Sequence, residues 1–222
     1  MTVRDRVAIM QPYFMPYAGY FRLLSSTDLF VIYDCVQFPR RGWVHRNKLP
    51  DSTGAPQWIT LPLRKAPQDV LIKDLAFAPD ASAQMQERLR AFPLRATNQD
   101  LRAEAIDWVL RMDRGVTDYL VDLLFFVARR LDLRWSVLRS STLDIPQSFR
   151  GQERIIEITR RVGGRAYINS PGGTALYQAE AFAEQGIELS FLPPYPGPHA
   201  SILSRLLDED HKALARDIAS SV

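Results

Sequence analysis

The stretch FPRRGWVHRNKL, from Phe38 to Leu49, concentrates the side chains best suited to chemistry. Arg40, Arg41, Arg46 and Lys48 supply cations, His45 an imidazole, and Trp43 and Asn47 an indole and a carboxamide. On an extended chain side chains alternate, so Trp43, His45 and Asn47 share one face and Val44, Arg46 and Lys48 the other. Indole, imidazole and carboxamide together make a recognition surface rather than a core. A histidine with its ordinary pKa of about 6.5 exchanges protons near neutrality, which makes His45 the expected general base. Arg40, Arg41 and Arg46 are expected to hold phosphate or carboxylate, groups that a guanidinium grips with two hydrogen bonds. The plainer alternative is a surface hairpin with solvated charges and a structural His–Asn contact.

Three other short stretches carry candidates. In QPYFMPYAGYF, from Gln11 to Phe21, two prolines fix φ while the tyrosines offer flat apolar faces with a hydroxyl at the edge. Gln11, Tyr13, Gly19 and Tyr20 are the expected ligand contacts there, against the alternative that the rings only pack the loop. In YDCVQF, Asp34 is expected to orient His45 or the substrate, and Gln37 to contact ligand. Cys35 is a weak nucleophile candidate, because no base is identifiable beside it. In INSPGG, Asn169 stands at a strand end, and Gly172 and Gly173 open the backbone N–H groups to an anion. His45, His199 and His211 show no metal-ligand spacing, so neither a metal nor another cofactor is expected.

These stretches need elements to hold them. Val7–Met10 and Asp28–Tyr33 read as short buried strands around a Tyr17–Ser25 helix. Gly42–Leu49 and Gln57–Leu63, joined by PDSTGAP, read as a hairpin. Helices are expected from Pro79 onward, over Asp100–Arg111 and over Val116–Leu131. Further on come a strand at Trp135–Leu138, a helix at Gly151–Val162 ended by Gly163-Gly164, a strand at Ala166–Asn169, a helix at Thr174–Gln185 and a strand at Ile187–Leu192. Strands alternating with helices through short loops predict an α/β fold: a Rossmann-like parallel sheet with an inserted β-hairpin and a helical subdomain. One domain is expected over 1–222, with the hairpin at about 42–63, the helical region at about 79–131 and a βαβαβ unit at about 135–192. In an open parallel sheet the loops beyond the carboxyl ends of the strands form the site, so those at Gln11, Asp34 and Asn169 should converge.

Composition bounds the function. With 46% apolar and 24% charged residues the chain can bury a full core, and a net charge of +3 is too mild to argue for nucleic acid. A single cysteine rules out an internal disulfide. The apolar start is too short for a signal peptide and no apolar run reaches membrane-spanning length, which predicts a cytoplasmic protein without membrane insertion. The expected partner is a small, phosphate-containing substrate, with a homodimer allowed.

MQPYFMPYAGYF, DLFVIYDCVQFPRRGWVHRNKL and the downstream YINSPGGTALYQAEAFAEQGIELSFL together resemble the WbqC-like protein family over nearly the whole chain. That resemblance implies a setting in surface-polysaccharide, O-antigen or other tailoring pathways. A smaller likeness links PYAGYF to nucleotidyltransferases with an H-x-G-H signature. Tyr17 and Tyr20 stand here in the histidine positions, so the likeness implies a nucleotide over Gly19 without the usual charge. The expected function is biosynthetic group transfer, of acyl or aminoacyl type, onto a nucleotide-linked amino sugar or similar activated metabolite. The rivals are a non-catalytic metabolite-binding subunit and a degenerate nucleotidyltransferase.

Overall fold

Val7, Ile9, Leu29 and Val31 pack on one side of a sheet, while Ala8, Phe30 and Ile32 pack on the other. Side chains alternating along strands covered on both faces give the near-continuous apolar runs seen in the sequence. The computed structural model describes residues 5–219. In it β1 (Arg6–Met10) lies at the centre of a five-stranded sheet, between β2 (Leu29–Ile32) and β6 (Ala166–Asn169). The outer strands are β5 (Val137–Arg139) beside β2 and β7 (Glu188–Phe191) beside β6, and every pairing is parallel. Strand order reverses direction between β1 and β6, which is where sheets of this kind open a crevice.

Helix α1 (Ala18–Ser25) covers the Ala8 face together with α4 (Val116–Arg130). Helices α5 (Gly151–Arg161) and α6 (Ala179–Ala183) cover the Val7 face through Ile155, Ile158 and Phe182. Between β2 and β5 the chain inserts the antiparallel hairpin of β3 (Arg46–Pro50) and β4 (Pro56–Thr60), then α2 (Ala81–Leu89) and α3 (Gln99–Leu110). Asp51 closes the hairpin turn by accepting from the N–H groups of Thr53 and Ala55, at 2.8 and 3.0 Å. Asn98 caps α3 by accepting from Leu101 N–H at 3.1 Å. Two helices end the chain, α7 (Ile202–Asp208) and α8 (His211–Ala219). Among the described residues no helix is long and apolar enough to cross a membrane.

The parallel sheet, its inserted hairpin and the intervening helices agree with the sequence reading. Gly163 ends α5 at φ +77°, a conformation in which a side chain would be strained. Two details differ. Strand β3 begins at Arg46, because residues 41–45 form a series of bends. The expected Thr174–Gln185 helix is broken into a 3-10 turn over Pro171–Leu176 and the short α6. Tyr177 lies between them, its ring 5.6 Å from Tyr167 and 5.8 Å from Phe182, so burying that ring takes precedence over helical continuity.

Candidate functional site

The loop after β1 is held from two sides. From the hairpin side, Trp43 accepts the Phe14 N–H at 3.0 Å, and Asn47 Nδ2 donates to the carbonyls of Phe14, at 2.9 Å, and of Met15. From the other side, Ser201 Oγ donates to the Met15 carbonyl at 2.8 Å and the Ile202 N–H to the Pro16 carbonyl at 2.9 Å. Met15 sits at φ +45°, rare for a residue with a side chain, and this turns its carbonyl toward both donors.

Between the two clamps lies a pocket of about 320 Å³ lined by Tyr13, Pro16, Tyr17, Trp43, Asn47 and His199. Its walls are aromatic and few of its groups are polar, the usual make-up of a small-molecule site. The Tyr17 and His199 rings meet edge-to-face at 4.8 Å, and Tyr195 stacks on His199 at 6.3 Å. Arg205 Nη1 donates to the Tyr195 hydroxyl at 2.6 Å, and that hydroxyl donates to Asp217, so the stretch carrying His199 is tied to α7 and α8. Burial raises the Tyr13 pKa, so its hydroxyl stays neutral and able to donate. At the mouth, Trp43 and Trp58 are both over 40% exposed, with ring centres 5.2 Å apart.

Three of the residues expected from sequence, Tyr13, Trp43 and Asn47, thus line one pocket. The others lie elsewhere. Tyr20 is buried and donates to the Gln11 carbonyl at 3.0 Å, which shapes the loop. A methyl group on Gly19 would collide with the Tyr17 ring, so the surface over Gly19 is covered by this chain's own tyrosine. Gly173 fills the same need for Asn169, whose Nδ2 occupies the space of a missing Cβ, while Asn169 Oδ1 accepts the Ser170 N–H at 2.7 Å. Gly172 is exposed, with open space where a Cβ would be.

The Arg40–Asn47 stretch divides. Arg46 donates to the Gly42 carbonyl at 3.2 Å and lies 4.1 Å over the Trp58 ring. Arg40 donates to the carbonyls of Ala66 and Pro67 at 2.6 and 2.9 Å, and Gln37 to that of Gln68 at 2.9 Å. Arg41 is exposed, and among the described residues its guanidinium has no hydrogen-bond or ion-pair partner. Gln37, Arg40 and Arg41 line an open hollow that shares no residue with the aromatic pocket. His45 packs edge-to-face on Phe38 at 4.8 Å, with Nδ1 buried and unpartnered. Burial, reinforced by Arg46 and Arg40, lowers its pKa to about 4. Because the strand starts at Arg46, the alternation that would align His45 with Trp43 and Asn47 does not run through this stretch.

Asp34 is fully buried at the end of β2. Its carboxylate accepts from Arg139 Nε at 2.8 Å, Ser140 Oγ at 3.0 Å, Ser141 N–H at 2.9 Å and Ser141 Oγ at 2.7 Å. Those four bonds occupy its lone pairs and join β2 to the turn after β5. None comes from His45.

Sequence reasoning passed over Pro16 and Tyr17 as ligand contacts and used His199 only in judging metal spacing. One signal was present: PPYPGPHA places a tyrosine and a histidine among prolines after the last strand, the same composition as the first loop. Among the described residues no group of three or more His, Cys, Asp or Glu side chains gathers as a metal ion would require.

The WbqC-like protein family profile matches residues 11–200. "Uncharacterized protein Rv1507c" of Mycobacterium tuberculosis (strain ATCC 25618 / H37Rv) is 26% identical over 192 residues, covering 84% of this chain and 81% of the relative. No solved structure matches.

Proposed function

The chain belongs to the WbqC-like protein family, and on that basis we propose that it is a biosynthetic group-transfer enzyme acting on an activated, phosphate-containing metabolite of the nucleotide-linked amino-sugar type. The observation that carries this reading is the pocket in which Tyr13, Trp43 and Asn47 meet Tyr17 and His199. Tyr13 and Trp43 offer faces to a base or sugar ring, and the tyrosine hydroxyl offers an edge contact. A phosphate extending out of the pocket would have to reach the separate hollow where Arg41 is exposed. A base with a pKa near 4 is weak at neutral pH, so the proton-accepting role passes from His45 to His199 on the pocket wall. In acyl transfer His199 would take the proton of the accepting amine as its nitrogen bonds to the acyl carbon and the leaving group departs from that carbon.

Calorimetry with UDP-glucosamine tests the pocket. Trp43→Ala should weaken binding by about 1–3 kcal/mol, the value of a lost ring stack. Unchanged affinity would remove the pocket from the reading. The low basicity of His45 also favours a second reading, a non-catalytic binding subunit. His199→Ala should abolish turnover with affinity held within about tenfold if the protein is a catalyst, whereas a binder shows no turnover in the wild type.

A further inference from the structure

We propose that a second cleft, at the carboxyl ends of β2 and β5, binds a small phosphorylated amine. The cleft measures about 610 Å³ and shares no lining residue with the aromatic pocket, so it stands or falls apart from the group-transfer reading. Cys35 and the Ser140–Thr142 turn, which Asp34 fixes in place, form part of its wall.

Lys73, Arg150 and Arg154 line the cleft, and among the described residues none of the three has a carboxylate within ion-pairing distance. Arg114, Arg139 and Arg205, by contrast, each have two. Arg150 precedes α5 and Arg154 lies in its first turns, where the helix dipole disfavours positive charge. The Arg150 side chain does not cap the helix, and Glu153 is the acidic residue of that turn. Arg154 is fixed by the carbonyls of Pro146 and Phe149, at 3.2 and 3.3 Å, and by Cys35 Sγ at 3.2 Å, while its Nε is buried without a partner. Cations placed against a dipole, unpaired and converging on a cavity are what an anion requires. Asp69 and Asp144 are exposed on the same lining and unpaired with those cations. This mixture of signs suits a ligand that carries an ammonium beside its phosphate better than a bare polyanion.

Cys35 is the sole cysteine of the chain, so its alkylation by iodoacetamide reads occupancy of the cleft. Glucosamine 6-phosphate should slow alkylation by about tenfold when present at ten times its Kd. N-acetylglucosamine 6-phosphate and inorganic phosphate should protect less, and neutral N-acetylglucosamine not at all. A double variant, Lys73→Ala with Arg150→Ala, alters only exposed side chains and should lose the protection, each protein's protected rate being compared with its own unprotected rate because cations beside a thiol raise its reactivity. The proposal is overturned by a thiol unreactive in the free protein, by alkylation indifferent to every phosphate probe, or by protection that survives in the double variant. Equal protection by inorganic phosphate overturns the amine assignment.

Discussion

The Asn47 carboxamide donates to the backbone carbonyl of Phe14 across 2.9 Å, pinning the inserted hairpin to the loop that leaves the central strand. Asn47 is 5% exposed, and its oxygen also accepts the Lys48 N–H at 2.7 Å, so the side chain satisfies three backbone groups from within the wall of the aromatic pocket. A residue that reads in the sequence as a ligand contact therefore builds the pocket it lines.

Asn47→Leu keeps the volume and removes these bonds. The Met15 carbonyl keeps Ser201 Oγ, but leaving the Phe14 carbonyl unpaired costs about 1–3 kcal/mol, which urea unfolding would register as a lower midpoint with an unchanged slope. A midpoint equal to the wild type would show that the two segments are held together by other contacts.

Gly19→Ala should push the Tyr17 ring off the backbone and away from His199. Overpacking of this kind costs about 1–3 kcal/mol, and the pocket should lose affinity with it. Gly19→Ser should behave alike, since the collision comes from Cβ. Thermal melts and ligand calorimetry on both variants check this, and wild-type values would mean the ring has somewhere else to go.

His45 should titrate with a midpoint near 4, followed through its ring protons by NMR. An unfolded histidine takes up a proton below about 6.5, and the folded one only below about 4. Between those values the unfolded chain binds more protons, so stability falls as pH drops from about 6.5 toward 4 and the loss levels off below. His45→Gln should flatten that part of the stability profile. It should also leave no inflection to lose near pH 6.5 in a rate profile.

Asp34→Ala strips the carboxylate from Arg139 and from two serines. Removing one partner of a buried pair costs about 3–5 kcal/mol, and the partial exposure of Arg139 lowers the expectation to about 2–4 kcal/mol. Asp34→Asn, which keeps an acceptor, should lose less. Denaturant titration separates the two, and equal losses would show that charge rather than bonding matters there.

The order of elements was readable because each strand is a short apolar run bounded by turn residues, and Gly163 marks the end of α5 at the expected place. The site was readable only in part. Tyr13, Trp43 and Asn47 were found from residue type, and Trp43 and Asn47 were placed together by an alternation that in fact starts at Arg46. Tyr20 and Gly19 carried the right composition for ligand contact, but the fold uses them on itself. Nothing in FPRRGWVHRNKL distinguishes Arg41, whose guanidinium has no partner among the described residues, from Arg40 and Arg46, whose guanidinium groups reach backbone carbonyls.

By itself, then, the sequence determined the local matters: which runs become strands, where helices stop, and that one hairpin is inserted after the second strand. Period and turn chemistry act over a few residues, and a single chain displays them in full. The tertiary structure alone decided which side chains share a cavity and which already have partners. His199 reaches the pocket because an anchor in the last helices ties Tyr195 in place, and Cys35 meets Arg154 across 119 residues of chain. Such meetings depend on closing long loops around a sheet, and on burial that moves a histidine's pKa from 6.5 to about 4. Those are properties of the packed chain, and no window of residues contains them.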